Sequence, residues 1–552
     1  MKVMVTKPVS VTWFGNVEKP KDVAVRRNGH RNRSRLLLLA LCYLLFFGVG
    51  CASFKEYVEP QDVSHGQLTV FLKGHEKTSI DMTFILSAVN IVTEDGIARE
   101  IMDSPVTIKS VSITGKQILL SERYLPEGRY KGLQFIVKQA TIKREDRTAN
   151  MALPPEGIEV SIDISIIRNH NTTLFLTWDA DASIVDGYLF SPVFSIREKI
   201  PELSSLLIYV TNEESNNVSV INRQTGDIAA TIMAGKKPRG IAASSLREYP
   251  RVYAVNSGSN SISVIDSTVN EVEIEIPVRF GREPEGIAVA RISSEKELIF
   301  VANYGSDNIS VFDAATYQEV EKISVGSGPV AVAADPSADS LSVTRFLSFE
   351  DVNLLRSYRE KFFNIYVANK NSRDVSVIKM DRISNRPDEV INLKVEWNPV
   401  AISVDYQRGK VYVANYSSDN ISVIDILQII RGNINGAVST ITNTGTSVTG
   451  VVADPDLDRL YLLKELTGEI MIVRLFAEAF TPLRTAMAMA PIIDTIPVGK
   501  SPRSLILDPE GRKIYVVNRG SNTVSVVDKT TKRQEKVIPV GKRPYGIAMF
   551  PF

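Results

Sequence analysis

The chain has 552 residues, more than one ordinary core accommodates, so two or more domains are expected. Lys and Arg number 64 against 63 Asp and Glu, so bulk charge argues neither for a nucleic-acid protein nor for an acidic tail. Cys42 and Cys51 are its two cysteines and none of its four histidines lies beyond His170, so the C-terminal part lacks the commonest general base and the commonest transition-metal ligand.

The first element is an export signal, over residues 1–50. Arg26, Arg27, Arg31, Arg33 and Arg35 form a basic cluster that follows a preamble and precedes LLLLALCYLLFFGVG, residues 36–50. That apolar run is too short for a comfortable membrane span and suits a signal segment. It ends at Cys51, and the junction resembles a bacterial lipobox, with Gly48 where Leu is usual. The resemblance implies that the thiol of Cys51 is diacylated and becomes the new N-terminus. Two acyl chains give stable anchoring where one does not. Residues 51–64 read as the lipidated cysteine and a polar tether, and the expected location is the bacterial cell envelope.

Between 65 and 200, short apolar or alternating runs recur at 67–72, 84–92, 106–113, 133–142, 158–166, 173–177 and 189–196, punctuated by Gly and Pro. That spacing predicts a β-sandwich-like domain. The stretches GQLTVFL, LSAVNIVTEDG and WDADASIVDGYLFSPVFSI are similar to β-rich domains of bacterial lipoproteins, a likeness that implies no activity. Asp179, Asp181 and Asp186 lack the spacing and the sharp-turn glycine of a calcium loop, and read as solvated loop carboxylates.

From 204 to 552 the chain repeats itself. IYVTNEESNNVSVIN (208–222), VYAVNSGSNSISVID (252–266) and IFVANYGSDNISVFD (299–313) are the first of seven copies, the others lying at 365–379, 411–425, 460–474 and 514–528. Between them recurs a second phrase, as in GKKPRGIA and GKRPYGIAM. Each unit reads as four strands: an apolar, innermost a after the Pro-x-Gly phrase, then b, then c across an Asn/Ser/Gly/Asp-rich turn, then d. One such unit cannot bury its faces, whereas seven around an axis can, which predicts a seven-bladed β-propeller in an all-β chain. The region begins at a b strand and ends at an a strand, so its two ends complete one blade and close the ring. These segments resemble the YVTN-repeat propeller family. The resemblance implies fold and an extracytoplasmic setting; members bind varied partners and some related propellers are enzymes, so function is not fixed. Asn212, Asn256, Asn303, Asn369, Asn415 and Asn518 close strand b in six blades. A turn-forming residue is needed in every blade and a catalytic one only once, so these read as structural. Blade six departs with Lys464, Glu465 and Thr467, which predicts a different turn there.

In a four-strand meander the d–a and b–c loops share one face. That face carries Lys237, Arg239, Arg282, Lys500, Arg503, Lys542 and Arg543, all from four neighbouring d–a loops, with Glu285 and Tyr545 at the same strand starts. It is the candidate ligand face, suited to an anionic glycan, polymer or protein group. No aromatic ladder accompanies the charges, so nucleic acid is not an expected partner. The opposite face receives an a–b insert at 337–363 and c–d inserts at 426–437 and 475–491. Residues 349–361 predict an amphipathic helix with Ser348 as N-cap and Asp351 at N3. Phe346, Phe349, Leu355, Phe476 and Phe480 make this a candidate partner face, docking either the N-terminal domain or another protein, unless each insert packs on its own blade.

No Walker motif, GxSxG, HExxH or metal-spaced cluster is visible, and no cofactor or metal is expected. The reading is a membrane-anchored binding or scaffold module rather than an enzyme. The alternative is a propeller hydrolase or lactonase with a carboxylate-bound divalent metal, although the a-strand starts offer only Glu285 as a ligand.

Overall fold

A computed structural model describes residues 64–145, 147–154, 157–197, 203–336, 346–475 and 492–551. The export signal, Cys51, Phe476 and Phe480 lie outside the described residues. No described helix is long and apolar enough to cross a membrane.

The N-terminal part is built from β1 (His65–Gly74), β2 (Asp81–Thr93), β3 (Ala98–Glu100), β4 (Val106–Lys109), β5 (Gln117–Pro126), β6 (Gly128–Arg144), β7 (Arg147–Asn150), β8 (Ile158–Ile166), β9 (Asn171–Asp179), β10 (Ile184–Val185), β11 (Leu189–Phe190) and β12 (Val193–Arg197). One sheet runs β12-β9-β1-β5; a second runs β3-β2-β6-β7, with β4 added to β2 and β8 to β6. Alternating residues explain how they pack. Leu68, Val70 and Leu72 of β1 share a core with Phe84 and Ile91 of β2, Phe135 of β6 and Leu176 of β9. Trp178 is buried there, edge-on to Phe84 at 4.9 Å, and its indole N–H donates to Ser183 Oγ at 2.9 Å.

The other face of β1 is buried too, against the propeller. Phe71 stacks on Phe175 at 5.8 Å, and both pack among Ile228 of blade one and Ile538 of blade seven. Each such phenylalanine contributes about 1.5–3 kcal/mol by leaving water. Polar groups fix the register between the two bodies. Ile228 N–H donates to Gln117 Oε1 at 2.7 Å, Asn217 Nδ2 donates to Gln67 Oε1 at 3.0 Å, and Lys73 pairs with Asp227 at 2.9 Å.

The remaining described strands make seven four-stranded antiparallel sheets, the blades of a propeller. Blade one is Leu207–Asn212, Asn217–Asn222 and Asp227–Met233, completed by the a strand Pro544–Met549 from the far end of the chain. The closing pair is antiparallel, with Ile208 opposite Met549 and Val210 opposite Ile547. The a strands of the other six blades are Pro238–Ala243, Pro284–Arg291, Pro329–Ala334, Pro399–Asp405, Val448–Asp454 and Pro502–Leu507. Four of the six are less buried than expected: Val330 to Ala334 are all half-buried, for example, whereas strands b and c of blade one are buried throughout. The a strands are innermost, and one of their faces looks onto the axis, where no second layer covers it. Glycines let them approach: a Cβ on Gly240 would lie 2.5 Å from the carbonyl oxygen of Glu285, and one on Gly546 the same distance from that of Arg239.

The insert-bearing face corrects one expectation. The helix Phe349–Lys361 forms as the sequence predicts, with Ser348 Oγ accepting from Asp351 N–H at 3.1 Å. It does not receive the N-terminal domain, which sits on blades one and seven. Instead Leu355, 1% exposed, packs with Tyr366, Leu427 and Ile429 of its own and the next blade, and Asp351 pairs with Arg431. The short helix Ile426–Ile430 supplies the apolar partners, so the two inserts cover each other. Phe346 lies under the guanidinium of Arg408, 3.8 Å from its ring centroid, and Phe349 is 83% exposed.

Candidate functional site

A single backbone device builds the d–a face. In each blade the residue just before the a strand has a left-handed backbone: Lys237, Glu283, Gly328, Asn398, Ser447, Ser501 and Arg543. Its carbonyl, or that of its neighbour, accepts from the b–c turn, as in Ser257 N–H to Lys237 O at 3.0 Å and Arg519 N–H to Ser501 O at 3.0 Å. In blades one to three its N–H is stapled by a side chain of the preceding blade: Lys237 to Asn216 Oδ1, Glu283 to Asn260 Oδ1 and Arg543 to Asn522 Oδ1, at 2.7–2.9 Å. The strand-b asparagines hold the b–c hairpins of six blades from inside. Asn212 Nδ2 donates to Asn217 Oδ1 and Ser219 Oγ, and the other five make the same pair of bonds.

On this scaffold the second residues of the a strands are, around the ring, Arg503, Tyr545, Arg239, Glu285, Val330, Val400 and Thr449. The first four meet. Arg239 donates to Glu213 Oε1 at 2.8 Å and pairs with Glu285. Tyr545 Oη donates to Glu285 Oε2 at 3.1 Å, so blades one and three touch across blade two. Arg503 Nη2 donates to Tyr545 Oη at 2.7 Å and Nη1 to Thr449 O at 3.3 Å. The guanidinium groups of Arg503, Arg239 and Arg519 stand 4.5, 5.6 and 6.0 Å from the Tyr545 ring centroid.

Three guanidinium groups therefore surround one phenol, against the two carboxylates Glu213 and Glu285. Burial pushes the Glu213 carboxyl up, but Arg519 and Arg239 outweigh it and hold the group below the usual glutamate value. Both carboxylates are engaged by arginine. Arg503 differs, since among the described residues its partners are a hydroxyl and a carbonyl rather than a carboxylate. A guanidinium is always charged and presents a planar fork of donors, so this end of the ring favours an incoming oxyanion.

The other expected residues fall into two groups. Lys237, Arg282, Lys500 and Arg543 are exposed around the rim, outside the network. Lys542 turns away and pairs with Asp103 of the N-terminal domain at 2.9 Å, so it does not belong to the ligand face. Glu213 and Arg519 are members that sequence reasoning missed. Each follows the strand-b asparagine, and that position reads Glu213, Ser257, Tyr304, Lys370, Tyr416, Glu465 and Arg519 around the ring. Its variability beside a position that is asparagine in six of the seven blades was the available signal. On the partner face, Phe346 and Leu355 are contacted within the chain and Phe349 stands free at the helix start.

No family model matches the chain. It is similar to the seven-bladed β-propeller protein Rv1057 of Mycobacterium tuberculosis, 24% identical over 348 residues, which cover 59% of this chain and 80% of that protein. Among solved structures, a hydrazine synthase of Kuenenia stuttgartiensis is 18% identical, covers 59% of this chain and 93% of its own, and superposes with a TM-score of 0.47. A functionally unknown protein of Desulfotomaculum acetoxidans is 12% identical, covers 63% of this chain and 99% of its own, with a TM-score of 0.47.

Proposed function

We propose that this seven-bladed propeller protein is an extracytoplasmic lipoprotein of the YVTN-repeat kind, anchored through acylated Cys51, that binds an anionic group of an envelope glycan or protein at the d–a end of its ring. The observation that carries the reading is Arg503, a guanidinium at that end which, among the described residues, bonds to a hydroxyl and a carbonyl and not to a carboxylate. Its neighbours are already fixed, because Arg239 and Arg519 hold Glu213 and because Tyr545 is held from both sides. A cation placed this way loses little freedom when a ligand arrives. The exposed rim lysines and arginines add attraction at longer range, which salt screens.

The test has two parts. Full-length chain in detergent is titrated with hexagalacturonate and with neutral maltohexaose, before and after Arg503→Ser. Binding of the acidic sugar that fades with salt and drops about tenfold or more in the variant supports the reading, since a charge-assisted hydrogen bond contributes roughly 1.5–3 kcal/mol. Equal binding by parent and variant overturns it. For the anchor, cells fed a clickable palmitate analogue should label the parent chain and not Cys51→Ala; label retained in that variant removes Cys51 as the acylation site.

A further inference from the structure

The repeat also identifies a residue that the fold does not require. Two positions before each a strand stand Lys236, Arg282, Ser327, Trp397, Thr446, Lys500 and Lys542, so blade five alone carries an aromatic residue there. The last residue of the preceding b–c turn is Asn216, Asn260, Asp307 or Asn522 where it staples the next blade, and in blade four it is Arg373. Arg373 has the same left-handed backbone, at a φ of 56°, but its side chain cannot accept the staple bond. It lies over Trp397 instead, its guanidinium carbon 3.6 Å from the ring centroid. Two positions that touch have thus left the repeat together.

The pair is set firmly and in the open. Trp397 is 55% exposed. Its main-chain N–H donates to Ser418 Oγ at 3.0 Å, and its carbonyl accepts from Ser417 N–H at 3.3 Å. Asn398 Nδ2 donates to Ser417 Oγ at 2.6 Å and closes the loop beneath. One face of the indole is covered by a cation, and the residue as a whole stays more than half exposed. The chain around it is polar: Glu396, Asn398, Ser417 and Ser418. A protein-binding hot spot sits in apolar, water-excluding surroundings. A flat aromatic face ringed by hydrogen-bonding side chains matches instead a pyranose, which presents C–H groups on its face and hydroxyls at its edge.

We infer that Trp397, backed by Arg373, is a stacking platform for a pyranose ring of a glycan, on the same face of the propeller as Arg503. The inference deepens the reading above and rests on its glycan form. It needs no charge on the sugar, so the two sites are separable.

The full-length chain is titrated with hexagalacturonate and with maltohexaose, and intrinsic fluorescence and calorimetry are read together. Trp178 is 1% exposed, so changes in acrylamide quenching between sugar-free and sugar-bound chain, absent in Trp397→Phe, report on Trp397. The expected result is that Trp397 is shielded, that Trp397→Ala weakens both sugars about tenfold, and that Trp397→Phe keeps most of the affinity. Arg373→Asn restores the residue of the repeat; it should leave the melting temperature unchanged or higher while weakening both sugars, the opposite of what a structural role predicts. If Trp397→Ala binds as the parent does while Arg503→Ser loses hexagalacturonate, the platform is overturned and the mouth stands. If Trp397→Ala weakens both sugars and Arg503→Ser changes neither, the platform stands and the mouth fails. If neither sugar shields Trp397, the platform is overturned.

Discussion

Arg503 and Tyr545 meet across the seam between blade seven and blade one, the guanidinium donating to the phenol oxygen at 2.7 Å while standing 4.5 Å from the ring centroid. Tyr545 then donates onward to Glu285, so the phenol orients a cation on one side and a carboxylate on the other. Tyr545→Phe keeps the ring and removes both bonds. The fold should tolerate it, at a cost of about 1 kcal/mol for each net hydrogen bond lost. Anion binding should fall more than stability does, because Arg503 loses the group that aims it. Paired thermal melts and hexagalacturonate titrations separate these effects; equal loss in both would make the phenol a structural element only.

Ring closure depends on the last strand. Phe550 is 1% exposed and stands edge-on to Tyr209 at 6.1 Å, joining the end of the chain to the first strand of the propeller. Phe550→Ala should cost about 3–5 kcal/mol, as large-to-small changes in cores do. Since the strand it directly follows, Pro544–Met549, seals the ring, the loss should appear as an earlier urea midpoint for the whole propeller. A midpoint within the scatter of the parent would show that closure does not depend on this residue.

Blade number, the Velcro-like closure and the structural part of the asparagines follow from phase and repetition, both of which one sequence carries. The helix beginning after Ser348 was legible for the same kind of reason, a local cap. What was not legible is which of several apolar surfaces meet. The apolar inserts and the outer face of β1 look alike as compositions, yet Leu355 is covered by Leu427 and Phe71 by Ile228. The difference lies in long-range shape. The charge sector on the d–a face was legible, but the pairing of Arg239 with Glu213 and Glu285 joins three blades, and no local pattern connects them.

The contact between the N-terminal domain and blade one carries two carboxylates with opposite responses to pH. Burial pushes the Glu122 carboxyl above the usual 4.5, against hydrogen bonds from Ser215 and Asn217. Burial also pushes Asp103 up, but the hydrogen bond and charge of Lys542, with Arg123, hold it below the usual 3.8. A carboxyl whose folded value is raised gives stability that is present below its unfolded value and lost as pH rises through the folded one. Glu122 therefore favours docking at acid pH and weakens it above 4.5, whereas Asp103 supports docking above 3.8 and loses it as pH falls through its lowered value. Glu122→Gln should flatten the upper slope and leave the lower one. Denaturant midpoints across pH 3–8 check this; an unchanged profile in Glu122→Gln would rule out the assignment.

The strand-b asparagine is one corner of a triad, and blade six shows what happens when the triad is lost. Asn256 is fully buried, and its Nδ2 donates to Ser261 Oγ at 3.0 Å and Ser263 Oγ at 2.9 Å. In blade six the corresponding residues are Lys464, Glu469 and Met471, so the serine acceptor has gone together with the asparagine. Lys464 compensates by reaching further, its ammonium donating to the carbonyl of Thr444 at 2.9 Å and to that of Thr446. Burial holds its pKa below the usual lysine value, outweighing the charges of Asp419 and Glu469, which act the other way. Asn256→Ala should then cost about 1–3 kcal/mol, the penalty for leaving buried polar partners unmet. Lys464→Asn, although it restores the residue of the other six blades, should be destabilising too, because the shorter amide leaves both carbonyls and finds no serine at 471. Adding Met471→Ser should recover part of the loss by rebuilding the pair. Urea midpoints of the three variants decide the matter: a Lys464→Asn chain as stable as the parent would mean that the asparagine alone, and not the triad, sets the hairpin.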